Sequence, residues 1–149
     1  MTFRAHGTFD AEHPTSLAVY CSDGRFTEAV EELLRHLGHA RLDTLTIPGG
    51  AALLELTSAS TAAAATAREA VDFLVTGHHL RVVVLVAHAG CGYYRARFSY
   101  DSPSSIERRQ LSDLRTAGKW LASQHRGLEV HRYFARPEGG RVTFEPVDA

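Results

Sequence analysis

The two cysteines of the chain and one of its histidines occupy positions where a metal site could form. Cys21 directly follows a short apolar run, and His88 and Cys91 follow a run rich in β-branched residues. If both runs are neighbouring strands of a parallel sheet, their carboxyl ends bring the three side chains to one edge. Two thiolates and an imidazole suit Zn²⁺, and three protein ligands leave a fourth position open, as catalytic zinc sites do.

The loop after Cys21 adds a carboxylate and a guanidinium to this candidate site. Asp23 could accept a hydrogen bond from a metal-bound water, and Arg25 could hold Asp23 through a two-point ion pair. The same residues also suit a simple loop ion pair or the N-terminal cap of the following helix. Asp23 and Arg25 are therefore candidate catalytic residues with a structural alternative.

Three glycines near the candidate site are predicted substrate contacts. Gly49 and Gly50 follow the second predicted strand, and Gly92 follows Cys91. A Pro-Gly-Gly sequence at 48–50 is also typical of an ordinary tight turn, and both interpretations stay open.

A different chemistry is suggested by the Cys-x5-Arg spacing between Cys91 and Arg97, which cysteine phosphatases share. Their loop surrounds a phosphate with successive backbone N–H groups and needs small residues. Tyr93, Tyr94 and Arg95 are bulky, so the sequence disfavours this alternative.

The apolar periodicity predicts an α/β fold with a mostly parallel central sheet, flanking helices and a C-terminal antiparallel hairpin at one edge. Strands are predicted at 17–20, 42–47, 81–88, 130–135 and 142–145, and helices at 26–37 and 104–123. A Ser/Ala/Thr stretch from residue 57 is predicted to lead into a further helix that ends near residue 76. Gly38 is the predicted stop of the first helix, and Ser104 with Glu107 fits a capping box that opens the third. Residues 90–94 are predicted to form a loop. We expect one domain over 1–149, with 1–16 as an N-terminal arm.

Composition excludes several classes of function. The 149 residues are 44% apolar and 22% charged, which is typical of a folded protein. Sixteen basic and seventeen acidic residues argue against general binding to nucleic acid. No apolar run approaches the ~20 residues that a membrane span needs. The absence of an apolar signal core at the N-terminus predicts a cytoplasmic protein.

The double motif Cys21-x-Asp23-x-Arg25 and His88-x-x-Cys91-Gly92 resembles the zinc signature of the β-class carbonic anhydrases. The likeness extends over the chain from residue 14 onward, as in a short, divergent member. It implies a lyase that hydrates carbon dioxide reversibly to bicarbonate by zinc-bound hydroxide. It also implies one Zn²⁺ per subunit held by Cys21, His88 and Cys91, with Asp23 and Arg25 as an orienting pair, in a homodimer or higher homo-oligomer.

Two further interpretations share this resemblance. The chain could bind zinc without this activity, or it could hydrolyse carbonyl sulfide or carbon disulfide. In some family members the aspartate itself closes the fourth zinc position, and Asp23 is the matching residue here.

Overall fold

A five-stranded sheet forms the centre of the computed structural model, which describes residues 1–55 and 58–149. The strands are β1 (Ser16–Cys21), β2 (Asp43–Ile47), β3 (Val82–His88), β4 (Glu129–Glu138) and β5 (Arg141–Pro146). Their order is β2-β1-β3-β4-β5; the first four run parallel, and β5 pairs antiparallel with β4. The predicted α/β fold with a mostly parallel sheet and a hairpin edge is confirmed.

The helices flank this sheet. They are α1 (Gly24–His36), a short 3₁₀-helix (Gly50–Leu54), α2 (Thr61–Gly77), α3 (Gly92–Arg97) and α4 (Pro103–Gln124). The 3₁₀-helix and α3 were not predicted, and the loop predicted at 90–94 is wrong because Cys91 caps a helix that starts at Gly92. Residue 57, where the predicted Ser/Ala/Thr stretch begins, lies outside the described residues; α2 begins after Ser60, which caps it, and ends at Gly77.

The start of α4 also differs from the prediction. The hydroxyl of Ser102 accepts a hydrogen bond from the Ser105 N–H at 3.2 Å, and Pro103 occupies the first turn. The capping box of Ser104 and Glu107 is therefore wrong, because proline is favoured one position after the cap and fixes the helix start there. Glu107 instead forms an ion pair with Arg136 of β4, with one N–O distance of 2.7 Å.

Both faces of β3 are buried, as its apolar run predicted. Val83 and Leu85 face the apolar residues of α2 and α4. Val84 and Val86 face the opposite side, where the apolar stripe of α1 covers the sheet. That stripe contains Phe26, Val30 and Leu34, each worth about 1.5–3 kcal/mol on full burial.

The first and the fourth strand extend beyond their predicted boundaries. Residues 1–15 contain no helix or strand, and Ser16 of the predicted arm belongs to β1. At the other end, β4 continues through Pro137, beyond its last pair with β3 at Ala135. Proline is tolerated there because no β3 partner needs its N–H. Among the described residues, no helix is both long and apolar enough to cross a membrane.

We expect Gly50→Ala to destabilise the protein more than the matched change Gly38→Ala. Both glycines have positive φ, at +52° and +89°, so alanine costs about 1 kcal/mol at either. At Gly50 a methyl group would also lie 2.7 Å from the backbone N of Cys21, whereas nothing lies within 4 Å at Gly38. Urea unfolding should show a loss of at least about 2 kcal/mol for Gly50→Ala. Equal losses for the two variants would contradict the close approach.

Candidate metal centre

The structure brings together the three side chains that the sequence predicts as metal ligands. Cys21 ends β1, His88 ends β3, and Cys91 precedes α3. Their ligand atoms all lie within 4.8 Å of one another, and the two sulfurs are 4.0 Å apart. Two thiolates bound to one tetrahedral zinc at about 2.3 Å each would be about 3.8 Å apart, so the sulfurs are spaced for a shared metal.

His88 presents one ring nitrogen to the cysteines. Its Nδ1 donates a hydrogen bond to the Ala89 carbonyl at 2.9 Å, which leaves Nε2 unprotonated in the neutral ring. Nε2 is buried and has no hydrogen-bond partner among the described residues. Buried polar atoms rarely lack a partner in folded proteins, and a bond to a metal ion would supply one for this nitrogen. The donor set therefore fits a zinc ion.

The electrostatics of the two thiols favour a cation between them. A hydrogen bond from the Cys91 thiol lowers the pKa of Cys21 to about 4, against the opposing effect of burial. The Gly49 N–H adds a hydrogen bond to Cys21 Sγ at 3.4 Å. The same hydrogen bond, together with burial, raises the pKa of Cys91. Thiols must lose their protons to bind a metal, so the lowered pKa of Cys21 favours binding of a divalent cation here.

Asp23 and Arg25 form the predicted ion pair beside this cluster. The Arg25 side chain donates to both carboxylate oxygens, at 2.6 Å from Nη2 to Oδ2 and 3.0 Å from Nε to Oδ1. Asp23 also caps α1, because its Oδ1 accepts from the Arg25 N–H at 3.0 Å. Its Oδ2 lies 3.9 Å from His88 Nε2. The cap and the ion pair thus coexist with a position next to the candidate ligands.

The three candidate glycines lie around the same cluster. Gly49 and Gly50 are buried beside Cys21, where the Gly49 N–H contacts Sγ and Gly50 packs on the β1 backbone. Gly92 opens α3, and its missing side chain would point into open space. Gly49 and Gly50 support Cys21 directly, and substrate contact by any of the three stays a prediction.

Comparison with known proteins identifies the family. A family model described as "Putative carbonic anhydrase" matches residues 11–144, nearly the whole chain. The chain belongs to this β-carbonic-anhydrase-like family. No curated protein matches it in sequence.

Solved β-carbonic anhydrases share the fold. The carbonic anhydrase of Streptococcus mutans is similar with a TM-score of 0.60 at 15% identity, over 96% of this chain and 89% of that one. The β-carbonic anhydrase CafA of Aspergillus fumigatus gives 0.57 at 18% identity, over 93% and 78%. Tetrameric β-carbonic anhydrases from Sordaria macrospora give 0.56 at 17%, over 90% and 81%. At these identities the likeness shows the fold alone.

The phosphatase alternative lacks the loop that it requires. Residues Gly92–Arg97 form the short helix α3 in place of a loop that surrounds an anion, and the N–H groups of Tyr93 and Tyr94 are directed to the Cys91 sulfur. The Arg97 guanidinium lies 5.6 Å above the Tyr93 ring. Cys91 is buried with its sulfur next to Cys21, which fits metal ligation better than attack on a phosphate ester.

Sequence reasoning missed two residues that contact His88. Phe26 of the apolar stripe of α1 packs against the imidazole, with 4.2 Å between the two ring centroids. Gln110 of α4 donates from Nε2 to the His88 carbonyl at 2.8 Å. A signal for Gln110 exists, because it falls on the apolar stripe of α4 that also contains Ile106 and Leu114.

We expect the Asp23 carboxylate to stay ionised to unusually low pH. The side-chain hydrogen bonds from Arg25 lower the pKa of Asp23 to about 2. An unfolded aspartate titrates near about 3.9, so this pair stabilises the fold above about pH 4 and loses its effect towards pH 2. Carboxyl-carbon NMR should show this low value, and Arg25→Ala should raise it towards the ordinary one.

The matched control is Arg35→Ala, which removes an arginine from the opposite end of the same helix. It should leave the Asp23 titration unchanged. An ordinary pKa for Asp23 in the parent protein would contradict the observed ion pair.

Proposed function

We propose that this chain is a zinc enzyme that hydrates carbon dioxide reversibly to bicarbonate. The observation that carries the proposal is the convergence of Cys21 Sγ, His88 Nε2 and Cys91 Sγ in a member of a carbonic-anhydrase-like family. The buried, unpartnered Nε2 and the two sulfurs at 4.0 Å support one zinc per subunit. When bound, zinc would supply Lewis acidity that makes a water nucleophilic near neutral pH.

Asp23 and Arg25 are the residues that we assign to orientation of the nucleophile. With a pKa of about 2, the Asp23 carboxylate is ionised at neutral pH and can accept hydrogen bonds but not donate them. It would therefore fix the direction of the O–H group of a water or hydroxide near His88. The Arg25 guanidinium donates hydrogen bonds to both carboxylate oxygens and thereby fixes the orientation of the Asp23 side chain. This arrangement supports Asp23 as an orienting residue.

A cleft of about 570 Å³ lies next to two neighbours of His88. It is lined by Phe26, whose ring packs on the imidazole, and by Ala89, whereas Cys21, His88 and Cys91 do not line it. Carbon dioxide is apolar and would meet the ring and methyl groups there. Arg25 and Arg141 at the same cleft would attract the bicarbonate anion.

We also propose a homo-oligomer in the cytoplasm. The similarity to tetrameric β-carbonic anhydrases supports self-association, with a dimer as the simplest closed assembly. The free thiols of Cys21 and Cys91 are those expected in a reducing compartment.

Metal analysis with a carbon dioxide hydration assay tests the proposal. The purified protein should hold one zinc per subunit, and stopped-flow measurement should show hydration that a strong chelator abolishes. Cys91→Ser should lose zinc and activity, because it removes a thiolate from the donor set. Light scattering on the same sample reports the oligomeric state.

The remaining interpretations give different results in the same samples. Zinc without hydration would leave a binding protein, and zinc with hydrogen sulfide release from carbonyl sulfide or carbon disulfide would indicate hydrolysis. A protein that binds no zinc under these conditions would overturn the proposal.

Asp23→Asn should keep zinc but lower the hydration rate roughly 10- to 100-fold. Asparagine caps a helix as well as aspartate, so the fold should persist. The amide loses the charge that Arg25 holds and that would accept the O–H. Asp148→Asn, near the C-terminus, is the matched control and should keep the parent rate. An unchanged rate in Asp23→Asn would remove Asp23 from the mechanism.

A further inference from the structure

Helix α4 buries two polar side chains on the face that covers the sheet. Gln110 is 2% exposed and Asp113 is 4% exposed, and they lie among apolar residues of the same helix. Burying an amide or a carboxyl group costs free energy unless hydrogen bonds compensate. Since residues three apart lie on one side of a helix, both point towards the same region. That region is the segment carrying His88 and Cys91.

Gln110 holds the start of this segment. Its Nε2 donates to the main-chain carbonyl of His88 at 2.8 Å, in a fully buried contact. The hydrogen bond fixes the backbone from which the imidazole projects. The His88 ring is fixed as well, because its Nδ1 donates a hydrogen bond to the Ala89 carbonyl. The main chain thus sets the direction of the ring.

Asp113 holds the end of the segment through Tyr94. The Tyr94 hydroxyl donates to Asp113 Oδ2 at 2.5 Å, and both side chains are buried. Burial raises the pKa of Tyr94, so the hydroxyl keeps the proton that it donates. Tyr94 follows Cys91 by three residues, about one turn of helix, so fixing Tyr94 fixes the cap position of Cys91.

We propose that Gln110, Asp113 and Tyr94 form a clamp that positions His88 and Cys91 for the metal. This inference rests on the proposed function and adds three positioning residues to it. The ion pair of Glu107 with Arg136, three residues before Gln110, ties the same helix to β4. The helix that anchors the ligands is thereby itself anchored to the sheet.

Stability alone does not account for the contact between Tyr94 and Asp113, because apolar side chains of similar size at both ends of such a contact are often neutral or stabilising. The acceptor of Gln110 is a main-chain carbonyl, so that contact contributes to stability as well as to position. The polar contacts specify direction, because each joins one defined donor to one defined acceptor. Partners of this kind behind metal ligands typically change metal affinity 10- to 100-fold when removed.

Zinc affinity and the visible spectrum of the cobalt-substituted protein test the clamp. Gln110→Met and Tyr94→Phe should each weaken zinc binding about 10- to 100-fold in competition with a chromophoric chelator. Both should also alter the cobalt absorption bands, which report ligand geometry. Asp113→Asn should stay close to the parent, since its amide oxygen still accepts from Tyr94.

Control variants separate positioning from stability. Gln124→Met and Tyr100→Phe make the same changes at exposed positions and should leave zinc affinity unchanged. Val71→Ala removes buried apolar volume from α2, so it should lower stability without changing the cobalt spectrum. If Tyr94→Phe fails to fold, Tyr94→Phe combined with Asp113→Leu removes both polar partners and should fold with weakened zinc binding.

Parent-like zinc affinity and cobalt spectra in Gln110→Met and in the Tyr94 variants would overturn the clamp while leaving the proposed function intact. A parent protein that binds zinc without hydrating carbon dioxide would overturn the proposed activity. The clamp would still be tested by the zinc affinities of its variants. A parent protein that binds no zinc would overturn both.

Discussion

The parallel pairing of β1 with β3 is the contact on which the candidate site depends. The register from Ser16 opposite Val82 to Val19 opposite Leu85 brings the two strands to their ends at one edge of the sheet. Cys21 and His88 occupy those ends although 66 residues separate them in the chain. β2 and β4 lie on opposite sides of this pair, so the crossing loops leave a crevice where ligands collect in open α/β sheets.

The local charges make that crevice a place for a cation. Two thiol sulfurs lie 4.0 Å apart, an ionised carboxylate lies 3.9 Å from a buried imidazole nitrogen, and the guanidinium of Arg25 is largely exposed. The two sulfurs and the imidazole nitrogen are left facing one another, and this donor set is the one that a divalent cation could bind.

Helix α4 shows how one element serves both the core and the site. Leu114 and Leu121 cover the sheet, whereas Gln110 and Asp113 reach the segment behind the ligands. An analysis of periodicity that counts only apolar residues takes Gln110 and Asp113 for breaks in the apolar pattern of the helix. Their role becomes visible once their partners on His88 and Tyr94 are known.

The sequence by itself indicated the candidate metal ligands, the Asp23–Arg25 pair and the main strands, because short motifs, β-branched runs and helical stripes are local patterns. The cap of α4 follows from a local signal, since proline at 103 favours a helix that starts there. The hydrogen bonds of Gln110 to the His88 carbonyl and of Tyr94 to Asp113 were decided by tertiary structure, because they join residues 22 and 19 positions apart that no local pattern pairs. Only the folded sheet brings the two cysteines and the histidine to one point.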